Sequence, residues 1–358
     1  MSDTVKKFRR IGVLTSGGDA PGMNAVIRAV VRTALSHGVE VVGIKNGYSG
    51  LINGDVKLMG LRDVSNIINK GGTVLYSNRC PEFKTEPGMQ KALKTCEEYQ
   101  IDGLVTIGGD GTFRGATDLT AHGIPCIAIP GTIDNDIAST DNTIGFDTAM
   151  NTVIEMVDRL RDTSESHARC SVVEVMGRGA GDIALHTGMG SGATAVVIPE
   201  FHFDESDLIA RIKRARALGK RNFIVIVSEG VGSEYGPNLA KTIESETGVE
   251  SRFVRLAHVV RGGNPSLKDR VLASTMGAIA VEELLKGNSN LVICDRRGKV
   301  VTEDINFALI LDKMYKMKLK DGDLDAFSES EVARMTEEVK NKRAAMARLY
   351  GISRTINL

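Results

Sequence analysis

The sequence carries no net charge, because 45 lysines and arginines balance 45 aspartates and glutamates. Bulk attraction to nucleic acid or to an acidic membrane surface is therefore excluded, although a local basic pocket is not. No two cysteines stand at C-x-x-C spacing. Cys80, Cys96, Cys126, Cys170 and Cys294 are odd in number and widely scattered, which argues against a disulfide framework or a zinc knuckle and predicts reduced thiols. The histidines do not cluster at metal-ligand spacing. Met1 to Arg10 is charged and lacks an apolar core, so no secretory leader is predicted. No apolar run approaches the ~20 residues that a membrane span needs. A soluble, cytoplasmic protein with no nucleic-acid or membrane partner is expected. Three motifs are also missing: G-x-x-x-x-G-K-[ST], G-x-G-x-x-G and G-x-S-x-G. Their absence removes support for a P-loop ATPase, a standard dinucleotide dehydrogenase and a hydrolase with a nucleophile elbow.

What is present is an ordinary globular balance, 42% hydrophobic and 25% charged, over 358 residues. That length suffices for one large α/β unit or two domains. Short β-branched runs recur at 11–14, 39–44, 103–107, 126–129, 171–175, 195–198, 223–227 and 291–294. Each is almost continuously apolar, the pattern of strands buried on both faces of a parallel sheet. Amphipathic stretches of helical length lie between them, at 25–36, 90–99, 148–161 and 207–217. The alternation predicts an α/β fold with two wound, mostly parallel sheets flanked by helices. A divide is expected near Gly145, with the chain crossing between domains more than once. The tail from about Ser328 to Tyr350 reads as a charged helix on the surface.

Three turns carry acidic or glycine-rich patterns. Thr15-Ser16-Gly17-Gly18-Asp19-Ala20-Pro21-Gly22 follows a strand and precedes a helix. Glycine lets backbone N–H groups approach a phosphate, and a helix N-terminus adds positive potential. Taken alone, the turn suits a purely structural role equally well. Gly108-Gly109-Asp110-Gly111-Thr112 has the same setting, with Gly115 one turn on. A carboxylate beside a phosphate cradle is repulsive unless a cation intervenes, and Mg²⁺ is the natural one. Asp110 as a simple helix cap is the rival reading. Pro130-Gly131-Thr132-Ile133-Asp134-Asn135-Asp136 follows a strand directly, with Asp141 and Asp147 beyond. One aspartate could accept a hydroxyl proton and the other support Mg²⁺. A polar surface turn is the alternative. Arg169, Arg178, Arg252 and Arg261 end elements or sit in glycine-rich loops, suited to phosphate through their planar forks. His258 beside Arg261 is a further candidate contact. From the residues alone, the chain reads as a Mg²⁺-dependent phosphoryl transferase whose acceptor is anionic.

Together these segments resemble the bacterial-type 6-phosphofructokinase family, from about residue 11 to about residue 310. The resemblance is carried by 14–24, 108–112, 130–136 with 143–146, 171–178 with 181–182, and 258–263. It implies a glycolytic kinase that moves the ATP γ-phosphoryl group to the 1-hydroxyl of fructose 6-phosphate. By that resemblance Asp134 is the base, Asp136 assists, Asp110 holds Mg²⁺, and Arg178 and Thr132 stabilise the transferring group. ATP is expected on Gly18, Tyr48, Arg79, Cys80, Gly109, Asp110, Gly111, Thr112 and Gly115. The sugar phosphate is expected on Thr132, Asp134, Met176, Gly177, Arg178, Glu229, His258 and Arg261, with Arg169 and Arg252 reaching in from a neighbouring subunit of a homotetramer. The implied large ATP/Mg domain is 1–145 plus about 260–310. The sugar-phosphate and effector domain is 146–259 plus part of the C-terminus, and about 321–358 forms a helical extension. Gly111 and Gly131 point to ATP, since the pyrophosphate-using branch carries Asp and Lys there. Arg28, Arg32, Arg161 and Lys220 match the basic positions of the family's effector site. Leu61, Thr194 and Leu218 stand where an arginine, a glutamate and a lysine are expected, which predicts weakened nucleotide regulation.

Overall fold

The computed structural model describes residues 8–357; residues 1–7, most of the segment read above for a leader, lie outside them. The chain opens with β1 (Arg10–Ser16), α1 (Met23–Ser36), β2 (Glu40–Ile44), α2 (Tyr48–Asn53) and β3 (Val56–Met59). It continues with α3 (Glu86–Glu98), β4 (Gly103–Gly108), α4 (Asp110–Ala121), β5 (Cys126–Pro130) and α5 (Phe146–His167). Next come β6 (Cys170–Val175), α6 (Asp182–Gly190), β7 (Ala195–Val197), α7 (Glu205–Ala217), β8 (Phe223–Ser228) and α8 (Tyr235–Thr247). The last elements are β9 (Ser251–Arg255), α9 (Leu267–Leu285), β10 (Leu291–Arg296), β11 (Lys299–Asp304), α10 (Ile305–Tyr315) and α11 (Glu329–Ile356).

Two compact units result. Of the described residues, 8–133, Ile137–Asp147 and Arg261–Val339 form the first, and Asp134–Asp136, Thr148–Val260 and 340–357 the second. The packing thus assigns Asp134–Asp136 to the second unit, whereas the sequence reading put them in the first. It also carries the first unit on to Val339, well past residue 310.

The first unit is built on a seven-stranded sheet in the order β11-β10-β5-β4-β1-β2-β3. Its inner strands are parallel, and β3 and β11 join antiparallel at the edges. The chain lays β2 and β3 on one side of β1, then returns to lay β4, β5 and β10 on the other. The order reverses between β1 and β4, the point at which open α/β sheets take ligands. Close packing of α1 on α9 depends on Gly277, where a Cβ would stand 2.8 Å from that of Ala29 and 3.0 Å from the Val26 carbonyl oxygen.

The second unit carries a parallel four-stranded sheet, β7-β8-β6-β9. β6 and β8 are buried along their whole length, as their unbroken apolar runs predict. Each large aliphatic side chain so buried stabilises the unit by roughly 1.5–3 kcal/mol. The sequence reading missed β3, β9 and β11, which are edge strands interrupted by exposed residues. A search for continuous apolar runs cannot see them. Helix α11 is more than a surface helix, since Met335 and Val339 are buried against Phe307 and Leu311. All five cysteines are free thiols. Among the described residues no helix is long and apolar enough to cross a membrane.

Candidate active site

In the first unit three strand ends line up. Ser16 of β1 pairs across from Gly108 of β4, and Gly108 from Pro130 of β5. The three candidate turns therefore leave the carboxyl edge of the sheet side by side. Thr112 Oγ1 donates to the Ser16 carbonyl at 3.2 Å, and Gly131 N to the Gly108 carbonyl at 3.0 Å. Glycine is required at 108, where a Cβ would stand 2.3 Å from Thr112 Oγ1 and 2.4 Å from the Ser16 oxygen. At Gly109 and Gly111, by contrast, a Cβ would meet open space. The N-terminal turn of α4 is thus bare, with its partial positive charge available to an anion.

Neighbouring segments complete this half. Thr15 Oγ1 donates to the Tyr76 carbonyl at 2.7 Å, and Ser77 Oγ to the Gly17 carbonyl at 2.6 Å. These bonds bring exposed Arg79 and half-buried Cys80 beside the first glycine turn. Arg261 Nη1 donates to the Asp19 carbonyl at 3.2 Å and would lie 2.7 Å from a Cβ at Gly18. Arg261 therefore stands with the first glycine turn, in the first unit. Tyr48 is buried. Its ring stacks on Phe83 at 4.1 Å, lies against Gly115, and donates its hydroxyl to the Thr112 carbonyl at 2.7 Å. Burial holds its phenol well above the ordinary range. Asp110, partly exposed at the start of α4, pairs with Arg114 at 3.2 Å. A partly exposed carboxylate at an open helix N-terminus suits a cation that takes one protein oxygen and draws its other ligands from phosphate and water.

The third turn leads into the second unit. Thr132 is held in the first unit, its carbonyl accepting from Thr143 Oγ1 at 2.6 Å and its N–H donating to Ile144 at 3.1 Å. Asp134 is 2% exposed, and Asn135 follows in the left-handed region with φ 52°. Asp136 Oδ2 lies 3.6 Å from Arg178 Nη1, whose side chain is 57% exposed. Arg178 is itself left-handed, with φ 54°, and Gly177 before it has φ 149°. A non-glycine residue in that region costs on the order of 1 kcal/mol and persists only where its surroundings impose it. Glu229 imposes it: Oε1 accepts from Gly177 N at 3.0 Å and from Arg178 N at 2.7 Å. The in-register pairing of Val175 with Ser228 sets up this clamp. Met176 is buried at the root of the same loop, and His258 is exposed in the turn after β9.

Asp182 was not among the expected site residues, although the motif at 181–182 contained it. Burial raises its pKa. Lys342, His186 and the side chain of Asn135 oppose the rise, and Asp136 adds to it. The signal available in the sequence was an acidic residue opening a helix just after the arginine loop.

Two expected residues stand elsewhere. Arg169 and Arg252 lie at the amino end of the second sheet, where Cys170 pairs with Phe223 and Ser251. The length of β6, roughly 20 Å, separates that end from the Arg178 loop. Both arginines share one carboxylate: Arg169 Nε lies 2.7 Å from Glu250 Oε2, and Arg252 pairs with Oε1. The expected effector positions are distributed over both units. Arg28 and Arg32 lie on α1. Arg161 donates to Asn222 Oδ1 at 3.0 Å, and Lys220 stands 5.6 Å from the Phe223 ring. Burial, with Arg161 nearby, lowers the Lys220 pKa. Leu61 and Leu218 are exposed, while Thr194 is 5% exposed with its carbonyl accepting from Arg211 Nη1 at 3.1 Å.

Residues 10–284 match the family model described as Phosphofructokinase. A Bacillus velezensis protein named ATP-dependent 6-phosphofructokinase is 56% identical over 298 residues, covering 83% of this chain and 93% of that one. The Bacillus subtilis protein of the same name is 55% identical over 298 residues, with the same shares. Among solved structures, the phosphofructokinase of Saccharomyces cerevisiae superposes with a TM-score of 0.82 at 32% identity. It is covered over 92% of this chain and 50% of its own, so this chain spans half of the yeast polypeptide. The pyrophosphate-dependent phosphofructokinase of Marinobacter aquaeolei superposes with a TM-score of 0.74 at 22% identity, covering 83% of each chain, a likeness of fold alone.

Proposed function

Since the chain belongs to the phosphofructokinase family, we propose that it transfers the γ-phosphoryl group of ATP to the 1-hydroxyl of fructose 6-phosphate, giving fructose 1,6-bisphosphate and ADP. Asp134 takes the proton of that hydroxyl as its oxygen attacks the γ-phosphorus. The bond to ADP breaks, and Arg178 with Thr132 offsets the charge gathering on the phosphoryl oxygens. Asp136 holds the arginine at the reacting centre, and Glu229 keeps the loop that carries it in its strained form. The first unit carries the residues proposed for ATP, namely Gly18, Arg79, Cys80 and the N-terminal turn of α4, together with Thr132 and Arg261. The second carries the other residues proposed for the sugar phosphate. Asp110 would hold Mg²⁺, which would offset the negative charge of the phosphate groups. The working place is the cytoplasm, in keeping with five free thiols.

The observation that carries this reading is the run of three aligned strand ends, the third of which continues into an aspartate paired with a left-handed arginine. Donor choice follows from the glycines. An aspartate at 111 would project into the open space over α4, against phosphate. A lysine at 131 would begin 2.9 Å from Ile107 Cγ2 and 3.1 Å from Met23 Cε. Both positions favour ATP over pyrophosphate. Arg169 and Arg252 stand a strand's length from Arg178, so their proposed role is in the site of a neighbouring subunit within a homotetramer. A coupled assay of fructose 1,6-bisphosphate formation, run with ATP and then with pyrophosphate, tests the reading. Turnover with ATP is expected to dominate, and comparable rates with both donors would overturn it.

A further inference from the structure

Three elements of the second unit line a cavity of about 170 Å³: the edge strand β7, helix α7 and the last turns of α11. Drug-sized ligands occupy about 300–1,000 Å³, so this volume suits something smaller. Tyr350, Ser353 and Arg354 of α11 form one wall. They lie beyond residues 10–284, the part that matches the family model. Thr194 lines the cavity but Arg161 and Lys220 do not, which sets it apart from the expected effector site.

The polar side chains in these walls offer donors that the protein leaves unused. Tyr350 is buried with its ring stacked on Phe201, centroids 4.7 Å apart and planes 15° from parallel. The stack fixes the ring, and the hydroxyl bonds to none of the described residues. Ser353 is 3% exposed, and its Oγ accepts from Asn357 Nδ2 at 3.3 Å without donating to a described residue. The Arg211 side chain is 10% exposed. Among the described residues it makes one hydrogen bond, from Nη1 to the Thr194 carbonyl at 3.1 Å, although a guanidinium has five N–H donors. Its Nε is buried without a hydrogen-bond partner, since Asp207 Oδ2 lies 3.1 Å away but off the N–H direction. Buried donors left unpaired are costly, and three such side chains around one small cavity form a receptor for acceptor oxygens.

Charge points the same way. Asp207 Oδ2 lies 3.1 Å from Arg211 Nε and 3.6 Å from Arg354 Nη2, so two guanidinium groups face one carboxylate. Asp204 is engaged as the N-cap of α7, its Oδ1 accepting from Ser206 N at 2.9 Å and Asp207 N at 3.1 Å. His202 also lines the cavity. The carboxylates already have partners and the donors do not.

We propose that this cavity is a binding site for a small oxyanion, a carboxylate or phosphate group held by Arg211, Tyr350 and Ser353 with Arg354 adding positive charge. The anion's oxygens accept from the two hydroxyls and from the unused guanidinium N–H groups, bonds strengthened by the charge on both partners. So held, the anion ties α11 to α7 and β7. The site does not depend on turnover of fructose 6-phosphate.

Isothermal titration of the full chain with inorganic phosphate and, separately, with acetate tests this in the wild type, Tyr350→Phe and Arg211→Gln. Ionic strength is fixed, and ADP, Mg²⁺ and fructose 6-phosphate are present throughout to fill the other phosphate positions. Tyr350→Phe keeps the stacked ring and removes only the hydroxyl. At least one probe is expected to bind the wild type saturably, and the tighter of the two identifies the preferred group. Its Kd should rise about fivefold or more in Tyr350→Phe and about tenfold or more in Arg211→Gln, because hydrogen bonds to a charged group are lost. Circular dichroism at the same temperature checks that each variant is folded. Equal Kd values in all three proteins, as for an adventitious ion only, overturn the proposal. So does failure of both probes to bind the wild type, or a weakening in Tyr350→Phe that appears only with loss of the folded signal.

Discussion

The residues proposed for ATP and those proposed for the sugar phosphate are made of different material. In the first unit the candidate turns are mostly backbone: Gly109 and Gly111 face open space, the Gly17 N–H donates to the Asn78 carbonyl, and the Arg261 guanidinium lies over Gly18. In the second the candidate site is side chain, with Arg178, Asp136, Glu229 and Asp182 fixed by ion pairs and by bonds to the main chain. The difference teaches what each half can tolerate. A backbone site is damaged by adding atoms, and a side-chain site by removing them.

Deletion in the side-chain half should give the largest effect. Asp134→Ala is expected to lower kcat by at least ~10² with little change in the KM for ATP, as measured in the coupled assay. A near-normal kcat would remove Asp134 from the role of base. Addition in the backbone half comes next: Gly111→Asp should lower kcat/KM with ATP about tenfold or more, through a carboxylate set against phosphate. If ATP kinetics stay unchanged, the open space over α4 is not where the nucleotide lies. Arg252→Ala should raise the KM for fructose 6-phosphate about tenfold, because a charge-assisted phosphate contact is lost. Mixed tetramers of Arg252→Ala and Asp134→Ala chains should regain activity that neither homotetramer has, since some sites would then combine two intact contributions. Absence of complementation would place Arg252 outside the partner's site. Tyr48→Phe should cost about 1 kcal/mol of stability in urea unfolding, the worth of its bond to the Thr112 carbonyl, and leave donor preference intact. Smallest of all should be the response to ADP. With Leu61, Thr194 and Leu218 in place of charged groups, activation should fall below the ~5-fold lower end of ordinary allosteric coupling. A normal-strength response would show that Arg28, Arg32, Arg161 and Lys220 suffice.

The same contrast explains what could be read from the sequence. Buried strands such as β4, β5, β6 and β8 announce themselves as apolar runs, and glycine turns at their ends as breaks in those runs. The strands of the first unit and the glycine turns that end them were therefore legible as elements. The clamp of Glu229 on Gly177 and Arg178 joins positions about fifty residues apart and exists only because Val175 and Ser228 pair across β6 and β8. No local pattern encodes that register. Asp182 was hidden for the same reason, its partners Asn135 and Lys342 lying on distant parts of the chain. The assignment of Asp134–Asp136 to the second unit was equally invisible, since sequence continuity ties those residues to β5.

Glu250 holds Arg169 and Arg252 together on one carboxylate, and the two arginines keep its pKa below the usual range. If these arginines serve a phosphate, Glu250 is its resident rival. Any phosphate that arrives must evict a tethered competitor whose effective concentration never falls. What a titration would report is then an exchange constant and not a bare affinity. The glutamate would also keep the pair quiet toward stray anions until one with higher charge density than a carboxylate takes its place, so that a residue no motif marks would set the threshold at which the site answers.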